Sequence, residues 1–172
     1  MPDRDDQTYP VLRLVTPEDV TIVRTLILQM LEDSPLAFGD RLADAQVRSE
    51  TDWSGFLEHL TELPDRYALL VIDEIGACGF VGGDGANPQT PPSTVLVSRL
   101  WVNPRRRGNG LGQELMDSIT RWAAERGADK MAPGVTDMNT VAFQFYEHLC
   151  YTSLGVRVPW PPDPTRQIII LV

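Results

Sequence analysis

The sequence predicts a mixed α/β (α+β) fold in a single domain, with about seven strands and about four helices. Three observations carry this. Short strand-like runs alternate with apolar stripes at helical spacing. The 172 residues are 42% hydrophobic, which suits one sizeable core. No repeat and no linker divides residues 9–172.

Residues 11–15 read as the first strand. Thr16-Pro17-Glu18-Asp19 then supplies a helix start, with Thr as N-cap and Pro at the first helical position. Val20, Val23, Ile27, Met30 and Leu31 form a helical stripe that Pro35 stops. A second helical region spans residues 42–60, its apolar face made by Trp53, Phe56, Leu57 and Leu60. Residues 67–72 and 77–82 read as strands joined by the turn Asp73-Glu74-Ile75-Gly76, and residues 83–93 as a loop. The run Thr94–Val102 is a fourth strand. The third helix buries Leu111, Leu115, Ile119 and Trp122 and ends at Gly127. Lys130–Thr136 is a fifth strand, awkward because Pro133 cannot donate a ladder bond. Residues 140–149 make the fourth helix, with Ala142, Phe145, Tyr146 and Leu149 on one face. Residues 153–158 and 167–171 close the chain as strands.

Fifteen Lys and Arg against 24 Asp and Glu give a net charge of −9, which argues against a nucleic-acid partner. An acidic surface suits a cationic acceptor and equally serves solubility alone. Residues 1–8 read as a disordered acidic tail without the apolar core of a signal peptide. No run reaches membrane-spanning length, so the expected location is cytoplasmic with no membrane partner. Cys78 and Cys150 lie in apolar surroundings without ligand spacing. They read as buried free thiols, and no metal is expected. His59 and His148 read as helix-surface residues.

The most informative stretch is Arg105-Arg106-Arg107-Gly108-Asn109-Gly110-Leu111-Gly112, between the fourth strand and the third helix. Glycines let the backbone approach a ligand, and the first N–H groups of a helix have no internal partners. With the helix dipole and three arginines, this reads as a phosphate site. The loop lacks the Gly-Lys-Ser/Thr ending of a nucleoside-triphosphate loop. Its glycines are spaced Gly-x-Gly-x-Gly, and they fall past the middle of the chain, against a dinucleotide fingerprint.

The stretch resembles the signature Arg/Gln-x-x-Gly-x-Gly/Ala of the GNAT superfamily of acyl-CoA-dependent N-acetyltransferases, matched by Arg107 to Gly112. Leu100-Trp101-Val102-Asn103-Pro104 is similar to the end of that family's fourth strand. A second family segment, Asn-x-x-Ala-x-x-Phe-Tyr-x-x-x-Gly-Phe, is matched by Asn139, Ala142, Phe145 and Tyr146, with Cys150-Tyr151 in place of Gly-Phe. The resemblance implies a mostly antiparallel central sheet in which strands four and five splay around the cofactor. It also implies that acetyl-CoA is the acyl donor and that a primary amine of a small molecule or peptide attacks it directly in a ternary complex.

Such a transfer needs the donor held, the amine neutral and the departing thiolate protonated. N–H groups of Arg107, Gly108, Asn109, Gly110, Leu111 and Gly112 would hold the pyrophosphate. The resemblance places the strand segment Leu100-Trp101-Val102 beside the pantetheine arm, with main-chain groups of Leu100 and Val102 pairing its amides. It adds Asn139 and Phe145 to that contact, though Asn139 also suits a helix N-cap. It carries to Tyr146 the role of protonating the thiolate; the ring equally suits packing beside Phe143 and Phe145. Many relatives place a Glu where Ser98 and Arg99 stand, and neither of these is a good base. Ser98 could hold a water that relays a proton to Asp137, Glu32 or Asp33. Residues 33–40, with Phe38, and the loop 159–164, with Trp160, are the expected walls of an acceptor site that includes Asp137. A non-catalytic acyl-CoA-binding regulatory module, a longer acyl chain and a homodimer all stay open.

Overall fold

The computed structural model describes residues 10–88 and 90–172; the expected tail lies outside the described residues. The strands are β1 (Val11–Leu14), β2 (Arg66–Asp73), β3 (Gly76–Asp84), β4 (Thr94–Val102), β5 (Lys130–Thr136), β6 (Ser153–Trp160) and β7 (Asp163–Leu171). The helices are α1 (Val20–Asp33), α2 (Leu42–Gln46), α3 (Glu50–Thr61), α4 (Leu111–Glu125) and α5 (Thr140–His148). The seven strands form one sheet in the order β1-β2-β3-β4-β5-β7-β6, antiparallel except for β4 with β5.

Alternation along β2 supplies both faces of the sheet. Leu69 and Val71 join the core under α4 and α5, while Ala68 and Leu70 join the core under α1, α2 and α3. Leu115 and Ile119 of α4 and Val23, Leu26 and Ile27 of α1 are almost wholly buried against these faces. His59 and His148 are exposed, as read from the sequence. Among the described residues, no helix is long and apolar enough to cross a membrane.

Three expectations are corrected. The helical region over 42–60 is two helices, because Ser49 starts α3. Its hydroxyl accepts from the Asp52 N–H at 3.2 Å, and the Asp52 carboxylate accepts from the Ser49 N–H at 2.8 Å. The loop 159–164 is shorter than expected, since Pro159 pairs with Gln167 and Trp160 with Asp163. Proline is tolerated there because β6 is the edge strand. Cys78 is buried, and desolvation, with the neighbouring Asp73 charge, pushes its thiol up to about 11. Cys150, however, is exposed.

Pro133 and Gly134 mark a change of partner. Val97 and Pro133 are the last paired residues between β4 and β5, and Gly134 opens the pairing of β5 with β7. Among the described residues, β4 from Ser98 to Val102 therefore has no strand beside it on that edge. This is the expected splay.

Cys150 takes φ +67° just past the end of α5. The Tyr151 N–H bonds the Tyr146 carbonyl at 3.0 Å and the Cys150 N–H bonds the Glu147 carbonyl at 2.9 Å, the pattern of a helix stop that favours glycine. A β-carbon in this region costs about 1–2 kcal/mol. Cys150→Gly should therefore raise the stability by about 1 kcal/mol in urea unfolding; an unchanged or lowered midpoint would contradict the strain.

Candidate active site

Gly108 (φ +79°) and Gly110 (φ +82°) are both left-handed, and a β-carbon at either would meet no atom within 4 Å. Backbone conformation, not crowding, selects glycine here, and the face above them is open. Gly110 caps α4, and Leu111, buried as its first residue, fixes the helix against the sheet. Among the described residues, the N–H groups of residues 108–113 make no hydrogen bond. The row begins one residue later than expected, because the Arg107 N–H bonds the Pro104 carbonyl at 3.3 Å. A β-carbon on Gly112 would lie 3.4 Å from the Phe145 ring and 4.0 Å from Val102, so α4, α5 and the end of β4 converge there.

All three arginine side chains are engaged in ion pairs within the protein. Arg105 donates to both oxygens of Asp73, at 2.9 and 3.1 Å; Arg106 donates to Asp73 at 2.7 Å and to Glu74 at 2.9 Å. Asp73 also accepts from the N–H groups of Ile75 and Gly76 in the β2–β3 turn. Burial alone would raise its pKa, but these donors outweigh that and hold it well below the usual carboxylate range. Arg107 donates to the Val102 carbonyl at 2.9 Å and to Asp33 at the end of α1.

Asp33 also accepts from Trp101 Nε1 at 2.9 Å and from Ser34 at 2.7 Å. Burial opposes its ionisation, yet Trp101, Ser34 and Arg107 together lower its pKa. A carboxylate so engaged is a poor proton acceptor. Trp101 packs in the core under α1 to α3, on the face opposite α4, so only its main chain is left for the cofactor side. Leu100, Val102 and Phe145 pack on the same core as Tyr146, under α4.

Tyr146 is buried between Phe145 and Tyr151, with ring centroids 5.2 and 5.7 Å away. Burial raises its pKa, so the phenol is protonated at neutral pH. Asn139 caps α5, its Oδ1 accepting from the Ala142 N–H at 3.1 Å. The Ser98 hydroxyl lies over β3, where a β-carbon on Gly82 would come within 3.0 Å of it.

The two expected acceptor walls meet. Trp160 Nε1 donates to the Phe38 carbonyl at 2.8 Å, Arg41 donates to the Pro162 carbonyl, and Thr136 donates to the Leu36 carbonyl at 2.6 Å. Trp160 is buried rather than exposed, and it fastens the wall more than it faces the opening. Asp137 accepts from the Gln167 N–H at 3.3 Å, at the root of the β6–β7 hairpin. Gly39, Asp40, Arg41, Asp44, Pro161 and Pro162 line a cavity of about 410 Å³. Arg41 and Thr136 were invisible as site residues, because each bonds a carbonyl a hundred or more positions away. Among the described residues, no group of three or more His, Cys, Asp or Glu side chains is placed to hold a metal ion.

Residues 27–150 match the family model described as the acetyltransferase (GNAT) family. Solved structures share the fold at low identity. A GNAT-family acetyltransferase from Streptococcus pneumoniae is 16% identical with a TM-score of 0.72, covering 94% of this chain and 96% of that one. The protein yncA from Salmonella typhimurium, solved with its cofactor acetyl-CoA, is 16% identical with a TM-score of 0.68, covering 95% and 92%. The paiA N-acetyltransferase of Thermoplasma acidophilum, in complex with coenzyme A, is 14% identical with a TM-score of 0.64, covering 95% and 98%. Comparison with curated proteins returned no match.

Asp73→Asn should cost about 3 kcal/mol, because two guanidiniums would then face a neutral amide. The folded pKa of Asp73 lies below its unfolded value, so its contribution is complete above about pH 5 and is lost progressively as the pH falls through the folded value. The gap between the urea midpoints of the two proteins should therefore hold from pH 7 to about pH 5 and narrow from there down to about pH 3. Parallel curves would contradict the pairing.

Proposed function

The chain belongs to the GNAT acetyltransferase family, and we propose that it moves the acetyl group of acetyl-CoA to a primary amine of a small molecule or peptide, by direct attack in a ternary complex. The observation that carries this reading is the row of unpaired N–H groups at residues 108–113, in open space beside the unpaired edge of β4. A diphosphate fits such a row, since each of these N–H groups lacks a protein acceptor. Bound there, acetyl-CoA supplies the activated acyl group.

The chain's own residues do the rest. The edge from Ser98 to Val102 offers main-chain groups of Leu100 and Val102 to the amides of the pantetheine arm, with Asn139 and Phe145 alongside. The amine nitrogen bonds to the acetyl carbon as the carbon–sulfur bond breaks, and Tyr146 gives its phenolic proton to the departing sulfur. Three donors converge on Asp33 Oδ2 and lower its pKa, so no base is assigned to it. Ser98, which makes no side-chain hydrogen bond among the described residues, holds the water that passes the amine proton on to solvent, and solvent returns a proton to the Tyr146 phenolate. The standing of Ser98 and Arg99, neither a good base, where many relatives carry a Glu favours a second reading, a regulatory module that binds acyl-CoA without turnover. Release of coenzyme A on adding a panel of amines separates the two.

Gly110→Glu should abolish acetyl-CoA binding in calorimetric titration, because a carboxylate would stand in the phosphate's place; undiminished affinity would overturn the loop assignment. Tyr146→Phe should lower kcat by about 10²-fold with little change in acetyl-CoA affinity. Unchanged turnover would remove the phenol from the mechanism.

A further inference from the structure

We propose that Arg48 and Arg99 form an anion pocket that selects the acceptor, and that the acceptor is a small amine carrying a carboxylate. The assignment of an acceptor rests on the acetyltransferase reading above; the pocket itself rests on the following geometry.

Arg99 lies within β4 but takes φ +54°, a left-handed conformation that a β-carbon disfavours. The register shows why. Ser98 faces Gly82 and Trp101 faces Phe80, so Arg99 and Leu100 together oppose Val81 in a bulge. The Arg99 guanidinium lies over the Phe56 ring of α3, at 5.3 Å. Arg48, between α2 and α3, lies over the same ring at 5.4 Å and over Trp53 at 5.1 Å. Both reach one carboxylate, Asp40, with Arg48 at 2.8 Å and Arg99 at 3.6 Å.

Two half-buried cations thus share a single anion. Among the described residues, Arg99 has no ion pair besides Asp40, and Arg48 Nη1 is buried without a hydrogen-bond partner. Arg66, the nearby cation at the start of β2, is already paired with Asp84 at 2.8 Å. Guanidinium donors without acceptors in a partly desolvated site are costly, and a bound anion would satisfy them.

Charge selects the class of ligand. The cluster carries two positive charges and one negative, so a monoanion neutralises it where a phosphate dianion would overshoot. A carboxylate also matches the planar fork of an arginine. Asp40 connects this cluster to the cavity between residues 39–44 and the β6–β7 turn, since it lines both. Arg99 directly follows Ser98, just past the last pairing of β4 with β5, so a molecule anchored by its carboxylate sits beside the proposed reaction centre.

The test is calorimetric titration of the chain, with and without saturating coenzyme A, using amino acids each paired with its α-carboxamide. At least one acid should bind about 30-fold or more tightly than its amide. Arg99→Gln and, independently, Arg48→Gln should bring that ratio close to one, and Arg99→Lys should leave it intermediate. Acids and amides binding alike, no acid binding, or a ratio that survives both glutamine substitutions would overturn the proposal. If coenzyme A binds and no acid is preferred, the pocket falls while the acetyltransferase reading stands. If acids are preferred and coenzyme A does not bind, the pocket stands and that reading falls.

Discussion

Asp73, whose side chain has no exposed surface, ties the glycine loop to the β2–β3 turn through Arg105 and Arg106. On the other side, Arg107 ties the loop to the end of α1 through Asp33. These ion pairs engage the charge of all three arginines. Beside them the backbone N–H groups of the loop are directed by two left-handed glycines and the start of α4. Donors held in place before a ligand arrives lose little freedom when it binds.

The same constraint orders the rest of the site. With its exit fixed, β4 runs beside β5 only as far as Val97 and then parts from it. The opening lies between the two cores of the sheet, with α4 and α5 on one side and α1 to α3 on the other. The segment after α1 closes the second side through bonds to Thr136, Trp160 and Pro162. The gap is thereby approached from two sides of the sheet.

Local signals were legible in the sequence. The glycine loop, the stripes of α1 and α4 and the strand pattern of β2 to β4 follow from periodicity and turn chemistry, which act within a few residues. The break between α2 and α3 was also local, written in the Ser49–Asp52 pair but masked by the apolar face at Trp53 to Leu60. The positive φ of Cys150 was signalled only by the residue standing where relatives have glycine. What stayed hidden was long-range pairing. Nothing near Arg105 shows that Asp73 is its partner, nothing near Trp101 points to Asp33, and nothing near Arg48 or Arg99 points to their shared Asp40. Such pairs exist only once the sheet has formed.

The most direct measurement of the central claim is amide hydrogen exchange at residues 108–113, with and without acetyl-CoA. Those N–H groups have no protein acceptor, so they should exchange rapidly in the free chain and become protected when acetyl-CoA binds. Tight binding of acetyl-CoA that leaves these amides exchanging as before would contradict the account.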